Sequence, residues 1–258
     1  MTAVNVRRSE SSHWYTQSGE PCYELKKKSG PGMKRPTLAD ARELGLLPSV
    51  TTLLKVLAKP ALQDWLIAQA VRAVMDTPRL EGETNDQFVE RVLVTERIQD
   101  REAAGAADLG SSIHDALEEA VGGRPYDAKW RPYVFPVLDA IQGMGKVVKS
   151  EFILVGNGYA GRSDILIENE RELIVGDFKT TRSVPPKEPW IEARLQTAAY
   201  AKCLGNVADK HILTAVIYIS TVNIGEVKVF MNENWPEIYE KGFLPILNFW
   251  RWSNSYSP

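Results

Sequence analysis

Residues 158–181 read GYAGRSDILIENERELIVGDFKTT. Two apolar, β-branched runs flank the polar Glu-Asn-Glu-Arg segment, a pattern that predicts two neighbouring strands joined by a turn. VVKSEFILVG, residues 147–156, reads as a strand before them, so three consecutive strands form a meander. Side chains alternate along a strand, so Asp177 and Lys179 point one way and Phe178 the other. Asp164 runs directly into Ile-Leu-Ile, which places it in the preceding strand, where strand pairing can bring it beside Asp177.

Downstream, residues 189–205 predict a helix with Pro189 in its first turn and Gly205 at its end. ILTAVIYIS (212–220) and GEVKVFM (225–231) predict two more strands, and residues 234–252 a closing helix with Asn234 as its cap. Upstream, residues 13–25 suit a hairpin around Ser18-Gly19. Ser49 can cap a short helix to about 58, and Pro60 suits the first turn of a helix to about 76. Thr84 and Gln87 form a capping box for a helix to about 104, followed by another over 106–121 that stops at Gly122-Gly123. Residues 127–143 read as a helix started or kinked by Pro132 and Pro136. A helical half followed by β-β-β-α-β-β-α implies an α/β class with a mixed sheet flanked by helices. The expected organisation is one domain over 1–258. It comprises a helical region at 37–145, a sheet core at 146–231 and the closing helix.

Composition narrows the function classes. The net charge of −2 does not advertise nucleic-acid binding globally, although KKKSGPGMKR (26–35) holds five basic residues and no acid. That run suits either a solvated loop or a loop that grips phosphates. Two cysteines, Cys22 and Cys203, cannot supply a four-thiolate zinc or iron–sulfur site, and they suggest a reducing, intracellular setting. No apolar run approaches the ~20 residues of a membrane span, and residues 1–15 lack the apolar core of a secretory signal.

Asp177 and Lys179 can simply neutralise each other. Two carboxylates held close, however, repel unless a cation sits between them or one is protonated. Mg²⁺ or Mn²⁺ resolves the repulsion, since Mg²⁺ takes one or two carboxylates plus waters and substrate phosphates. Lys179 would then orient or deprotonate a water, or stabilise charge on a phosphate. Phosphodiester hydrolysis needs this equipment. Gly161 and Gly176 are expected to let a phosphate backbone approach.

The segment GYAGRSDILIENERELIVGDFKTT resembles the core motif of the PD-(D/E)XK nuclease superfamily in its RecB-like branch. GSSIHDALEE resembles that branch's upstream histidine motif and LQTAAY its Gln-x-x-x-Tyr motif. Residues 47–67, LPSVTTLLKVLAKPALQDWLI, are similar to phage-type exonucleases and to the mitochondrial genome maintenance exonuclease. The resemblance implies a restriction-endonuclease-like fold with an N-terminal helical subdomain. It implies a deoxyribonuclease with one or two Mg²⁺ or Mn²⁺ ions and no iron–sulfur cluster, acting in DNA recombination, repair or replication. It assigns catalysis to Asp164, Asp177 and Lys179. It assigns the metal to His114, Asp164, Asp177 and the carbonyl of Phe178. Substrate contacts fall to Gln196, Tyr200, Thr180 and Thr181, with Glu151 a further candidate acid. In isolation, His114 among Ile113, Leu117 and Val121 reads first as a packed histidine, the usual role of a lone histidine on such a helix. The helical region would form a wall over the site, with Trp65 as a candidate contact. The expected partner is DNA, single-stranded or with free ends, and no membrane; a recombination or single-strand-binding protein is left open. The expected setting is the cytoplasm, in a bacterium or phage. The alternatives are a structure-specific endonuclease on the same core and a catalytically silent DNA-binding protein.

Overall fold

The computed structural model describes residues 13–182, 186–205, 207 and 209–257, and the side chains of 61, 62, 65 and 94–108 lie outside that description. Trp65 is therefore not described. The chain forms two compact units, Met1–Val56 with Ala116–Pro258, and Leu57–Asp115.

The first unit is built on a five-stranded mixed sheet in the order β10-β9-β8-β7-β6. Strands β6 (Lys146–Gly156), β7 (Tyr159–Glu168) and β8 (Glu172–Thr181) form the expected antiparallel meander. The first turn of the meander places Gly158 at φ +80°, where a Cβ would collide with the Arg251 guanidinium. In the second turn the Asn169 side-chain oxygen accepts from the N–H groups of Arg171 and Glu172. Helix α6 (Ile191–Leu204) crosses to β9 (His211–Ser220), which lies parallel to β8, and β10 (Val227–Asn232) returns antiparallel to β9. The near-continuous apolar runs of β8 and β9 suit this central parallel pair, buried on both faces.

Helix α6 is buried nearly all round, from Ala193 to Ala201, between the sheet and the C-terminal helical segment. Its small residues admit that approach, as does Gly242, where a Cβ would meet Leu195 at 2.5 Å. The closing helix expected over 234–252 is instead divided. α7 (Trp235–Ile238) passes through a π-helical segment, Tyr239–Phe243, into α8 (Leu244–Ser253). Pro245 explains the break, because it has no N–H to donate back along the helix. Asn234 makes no side-chain capping bond.

The N-terminal hairpin forms as β1 (Trp14–Tyr15) and β2 (Pro21–Cys22), and β1 also pairs with β5 (Leu47–Pro48). Trp14 packs with Trp250 and Tyr256, which ties this small sheet to α8. The basic run forms a second hairpin, β3 (Leu25–Lys26) with β4 (Met33–Lys34). It is followed by α1 (Leu38–Leu44), capped by Thr37 and Asp40 and ended by left-handed Gly45. Ser49 caps α2 (Val50–Leu54) as predicted. Further on, α5 (Arg131–Gln142) carries Pro132 in its first turn and Pro136 inside.

In the second unit, α3 (Pro60–Asp76) starts on its proline, and Thr84 and Gln87 exchange the expected capping bonds. Here the sequence reading is corrected: one uninterrupted helix, α4 (Asn85–Val121), replaces the two predicted around Gly105. One glycine costs a helix about 1 kcal/mol relative to alanine, which the alanines on either side of Gly105 offset. Ala73, Phe88 and Val92 form this unit's apolar cluster. Among the described residues no helix is long and apolar enough to cross a membrane.

Lys34 lies 2.6 Å from Asp40, and Thr37 donates to the same carboxylate. Lys34 first, then Thr37, hold the Asp40 carboxyl well below its usual range. A depressed carboxylate contributes stability above its unfolded pKa of about 3.9 and loses it as the pH falls through the folded value. Asp40→Ala is expected to lower unfolding free energy by about 1–2 kcal/mol at pH 7 in urea titrations, with the gap to wild type narrowing in acid.

Candidate active site

The β7–β8 ladder stops at the pair Ile165 and Gly176. Beyond it the strands are bridged by side chains. Ser163 Oγ donates to the Gly176 carbonyl at 2.9 Å, and the Phe178 N–H donates to Asp164 Oδ2 at 2.5 Å. A residue's N–H and C=O leave a strand on the same edge, so the Phe178 carbonyl also faces β7. Asp164 and Asp177 enter the structure at this fork.

Asp177 is 2% exposed, so its charge must be met inside the protein. Lys179 Nζ lies 2.6 Å from Asp177 Oδ2, which realises the same-side placement predicted from strand alternation. Helix α6 supplies the rest. Gln196 Nε2 donates to Asp177 Oδ1 at 2.8 Å and to the Tyr200 hydroxyl at 3.0 Å, while Gln196 Oε1 accepts from Lys179 Nζ at 3.1 Å. One amide thus fixes both members of the ion pair.

Glu151 stands across from Asp164, between the registered pairs Ser150–Ile165 and Phe152–Ser163. Its φ of +46° is left-handed, a conformation that is unusual for a non-glycine residue and costs of order 1–3 kcal/mol. The Glu151 side chain is hydrogen-bonded to Asp164, and its Oε2 lies 2.6 Å from Arg162 Nε. Arg162 is the functional neighbour that the sequence reading missed. The alternation that groups Asp177 with Lys179 applies equally to Arg162 and Asp164.

The electrostatics reflect crowding of acids. Burial first, and Asp177 second, push the Asp164 carboxyl well above its usual range, against the pull of the Phe178 N–H and Lys179. Burial likewise raises Glu151, against Arg162. Burial pulls Lys179 down, but the charge and hydrogen bond of Asp177 outweigh it and leave the ammonium favoured. Two buried carboxylate oxygens, Asp177 Oδ2 and Glu151 Oε2, have no hydrogen bond of good geometry despite their close cations. Lone pairs of this kind suit a divalent, oxygen-seeking ion completed by waters and phosphate. Among the described residues no group of three or more His, Cys, Asp or Glu side chains is set to hold a metal. The donors this unit offers are therefore the Asp164–Asp177 pair and backbone oxygen. His114 lies on α4 in the other unit, half-buried between buried Ile113 and Leu117.

One expectation changes. Gly161 and Gly176 do not leave room for a phosphate: a Cβ at Gly161 would meet the Tyr200 ring at 2.4 Å, and one at Gly176 would meet Ile165 at 2.6 Å. Gln196, Tyr200 and Thr181 are buried, as is Asp177, and Gln196 and Tyr200 brace the Asp177–Lys179 pair. The Thr181 carbonyl accepts from Thr221, and Thr180 is half-buried.

No protein-family profile and no curated protein matches the chain. Among solved structures it is similar to the crystal structure of SSO0001, at 15% identity over 69% of this chain and 82% of that one, with a TM-score of 0.32. At that score the likeness carries no argument about fold or function.

The Gly161 seat makes the brace testable. Gly161→Ala is expected to displace the Tyr200 ring and destabilise the protein by about 1–3 kcal/mol in urea unfolding, the usual cost of overpacking. Tyr200→Phe, which keeps the ring and removes only the acceptor for the Gln196 amide, should cost about 1 kcal/mol.

Proposed function

We propose that this chain is a Mg²⁺- or Mn²⁺-dependent DNA exonuclease built on a restriction-endonuclease-like core of the RecB-like PD-(D/E)XK type. The observation that carries this reading is half-buried Asp164 beside buried Asp177 at the strand fork, with a cationic Lys179 held against Asp177 by Gln196. Asp164, Asp177 and the Phe178 carbonyl would hold the ion. A divalent ion, when bound, supplies positive charge against the pentavalent phosphate and acidifies water.

The chain's own residues do the remainder. Lys179 is favoured as the ammonium, which suits it to donate hydrogen bonds. It orients the attacking water and stabilises charge that develops on the phosphoryl oxygens. Gln196 fixes the Lys179 ammonium and the Asp177 carboxylate relative to each other, and Tyr200 fixes Gln196. Asp164 is tied to the Phe178 N–H, which keeps the fork from closing into a regular ladder. Burial of Asp177 excludes water and strengthens each of these interactions.

The test is digestion of 5′- and 3′-labelled linear single-stranded and duplex DNA, beside a closed single-stranded circle, with Mg²⁺ or EDTA. Linear strands are expected to shorten only with Mg²⁺, while circles persist. Asp177→Ala should lower the rate by about 10³-fold or more, and Lys179→Met by about 10²–10³-fold. An Asp177→Ala protein that cuts as fast as wild type refutes the site. Circles lost as fast as linear strands refute end dependence and favour an endonuclease.

A further inference from the structure

Two of the five cations in the basic run at 26–35 are neutralised locally: Lys28 pairs with Glu43 and Lys34 with Asp40. Arg35 is different. It is exposed and has no ion pair among the described residues. It belongs to a cluster of cations drawn from separate elements of the first unit. Arg35 follows Lys34, which pairs with Leu25 two residues from Tyr23; Lys55 ends α2, one turn after Thr52, which accepts from the His13 N–H; and Arg162 lies on β7.

The placement follows from the fold. His13 is fixed by its carbonyl, which accepts from the Ser49 N–H, and by its own N–H, which donates to Thr52. Ser49 in turn bridges to Ala160 on β7, two residues from Arg162. The apolar contacts of Tyr15, Leu47, Ala160 and Ile153 seal the small sheet onto the large one beneath this cluster. Two aromatic rings lie in it: Tyr23, 48% exposed, meets the His13 ring edge-on at 5.8 Å. Burial first, then Lys55, Arg35 and Arg162, lower the His13 pKa, which reports the positive potential there. At its far end the patch reaches the acids, because Arg162 holds Glu151 and Glu151 bonds to Asp164.

We propose that Arg35, Lys55 and Arg162, with Tyr23 and His13, form a track for the phosphate backbone of a single DNA strand leading to the Asp164–Asp177 fork. The choice of anion rests on the nuclease reading. The choice of single strand rests on Tyr23, because an exposed ring between cations stacks an unpaired base that a duplex does not offer. Lys and Arg side chains on one face bind the phosphates of a strand by displacing its counterions. Arg162 has a second task at the junction: it keeps Glu151 from adding an uncompensated charge beside the phosphate.

Binding of a fluorescein-labelled oligo-dT to the full chain is measured by anisotropy in EDTA across a salt series, so that no metal-dependent cleavage intervenes. Arg35→Ala with Lys55→Ala is expected to weaken binding by about tenfold or more and to flatten the slope of log K against log salt by about 0.7 for each charge removed. Tyr23→Ala should weaken binding on the order of tenfold with the slope unchanged. Circular dichroism confirms folding of these surface variants. Unchanged affinity and slope in the double variant overturn the track. A blunt duplex that binds equally well, with the same loss in the variants, overturns the single-strand assignment. Patch-dependent binding by a protein without Mg²⁺-dependent cleavage would sink the nuclease reading and leave the track standing. Cleavage with patch-independent binding would do the reverse.

Discussion

The end of the β7–β8 ladder at Ile165 and Gly176 is the constraint on which the site depends. A regular ladder would spend the Phe178 N–H on a carbonyl of β7. Because the strands part, that N–H is taken by the Asp164 carboxylate, and the Gly176 carbonyl is taken by Ser163. Two side chains replace two backbone groups, so the backbone stays satisfied while a carboxylate is drawn into the interior. The price of that arrangement is electrostatic. Asp164 and Asp177 share a low-dielectric space, and burial with mutual repulsion favours a protonated Asp164 when no cation is present.

The surrounding structure manages the charge by bracing and not by dilution. Gln196 is the pivot. Its amide donates to Asp177 and its oxygen accepts from Lys179, so the two charges are held in one orientation. Tyr200 takes the second amide hydrogen, and Gly161 gives the Tyr200 ring its seat. Helix α6 can carry these polar groups inward because its remaining faces are small and apolar and are enclosed by the sheet and the C-terminal segment. On the other side of Asp164, the left-handed Glu151 and its Arg162 partner place a second acid and cation at the same fork. Strain of this kind persists only where surrounding structure over-determines it.

What the sequence made legible was what depends on local pattern. The meander, the two central apolar strands, the capping residues Ser49, Thr84 and Gln87, and the common side of Asp177 and Lys179 all follow from alternation, turn chemistry or capping. What it hid depends on tertiary neighbours. A glycine in a strand signals that a Cβ is intolerable, but not what would meet it. At Gly161 and Gly176 the occupants are Tyr200 and Ile165 and not an open approach for substrate. The single glycine at 105 does not interrupt α4, whereas the closing helix passes through a π-helical segment just before Pro245. The Gln196–Tyr200 spacing predicted a shared helix face correctly, but only the packed structure turns that face toward Asp177 and Lys179. In the basic run, Lys28 and Lys34 are locally paired, which the run's composition alone does not reveal.

The central claim is that the carboxylate pair at the fork is a divalent-cation site, and direct ion binding tests it without reference to any substrate. Titration of Mn²⁺ into the protein, followed by the electron paramagnetic resonance signal of the free ion, reads occupancy directly. The account predicts loss of free signal at a stoichiometry of one or two ions per chain, and a return of that signal when both Asp164 and Asp177 are replaced by asparagine in a folded protein. Mn²⁺ that remains free in the presence of the wild-type chain, or that binds equally to the double variant, would contradict it.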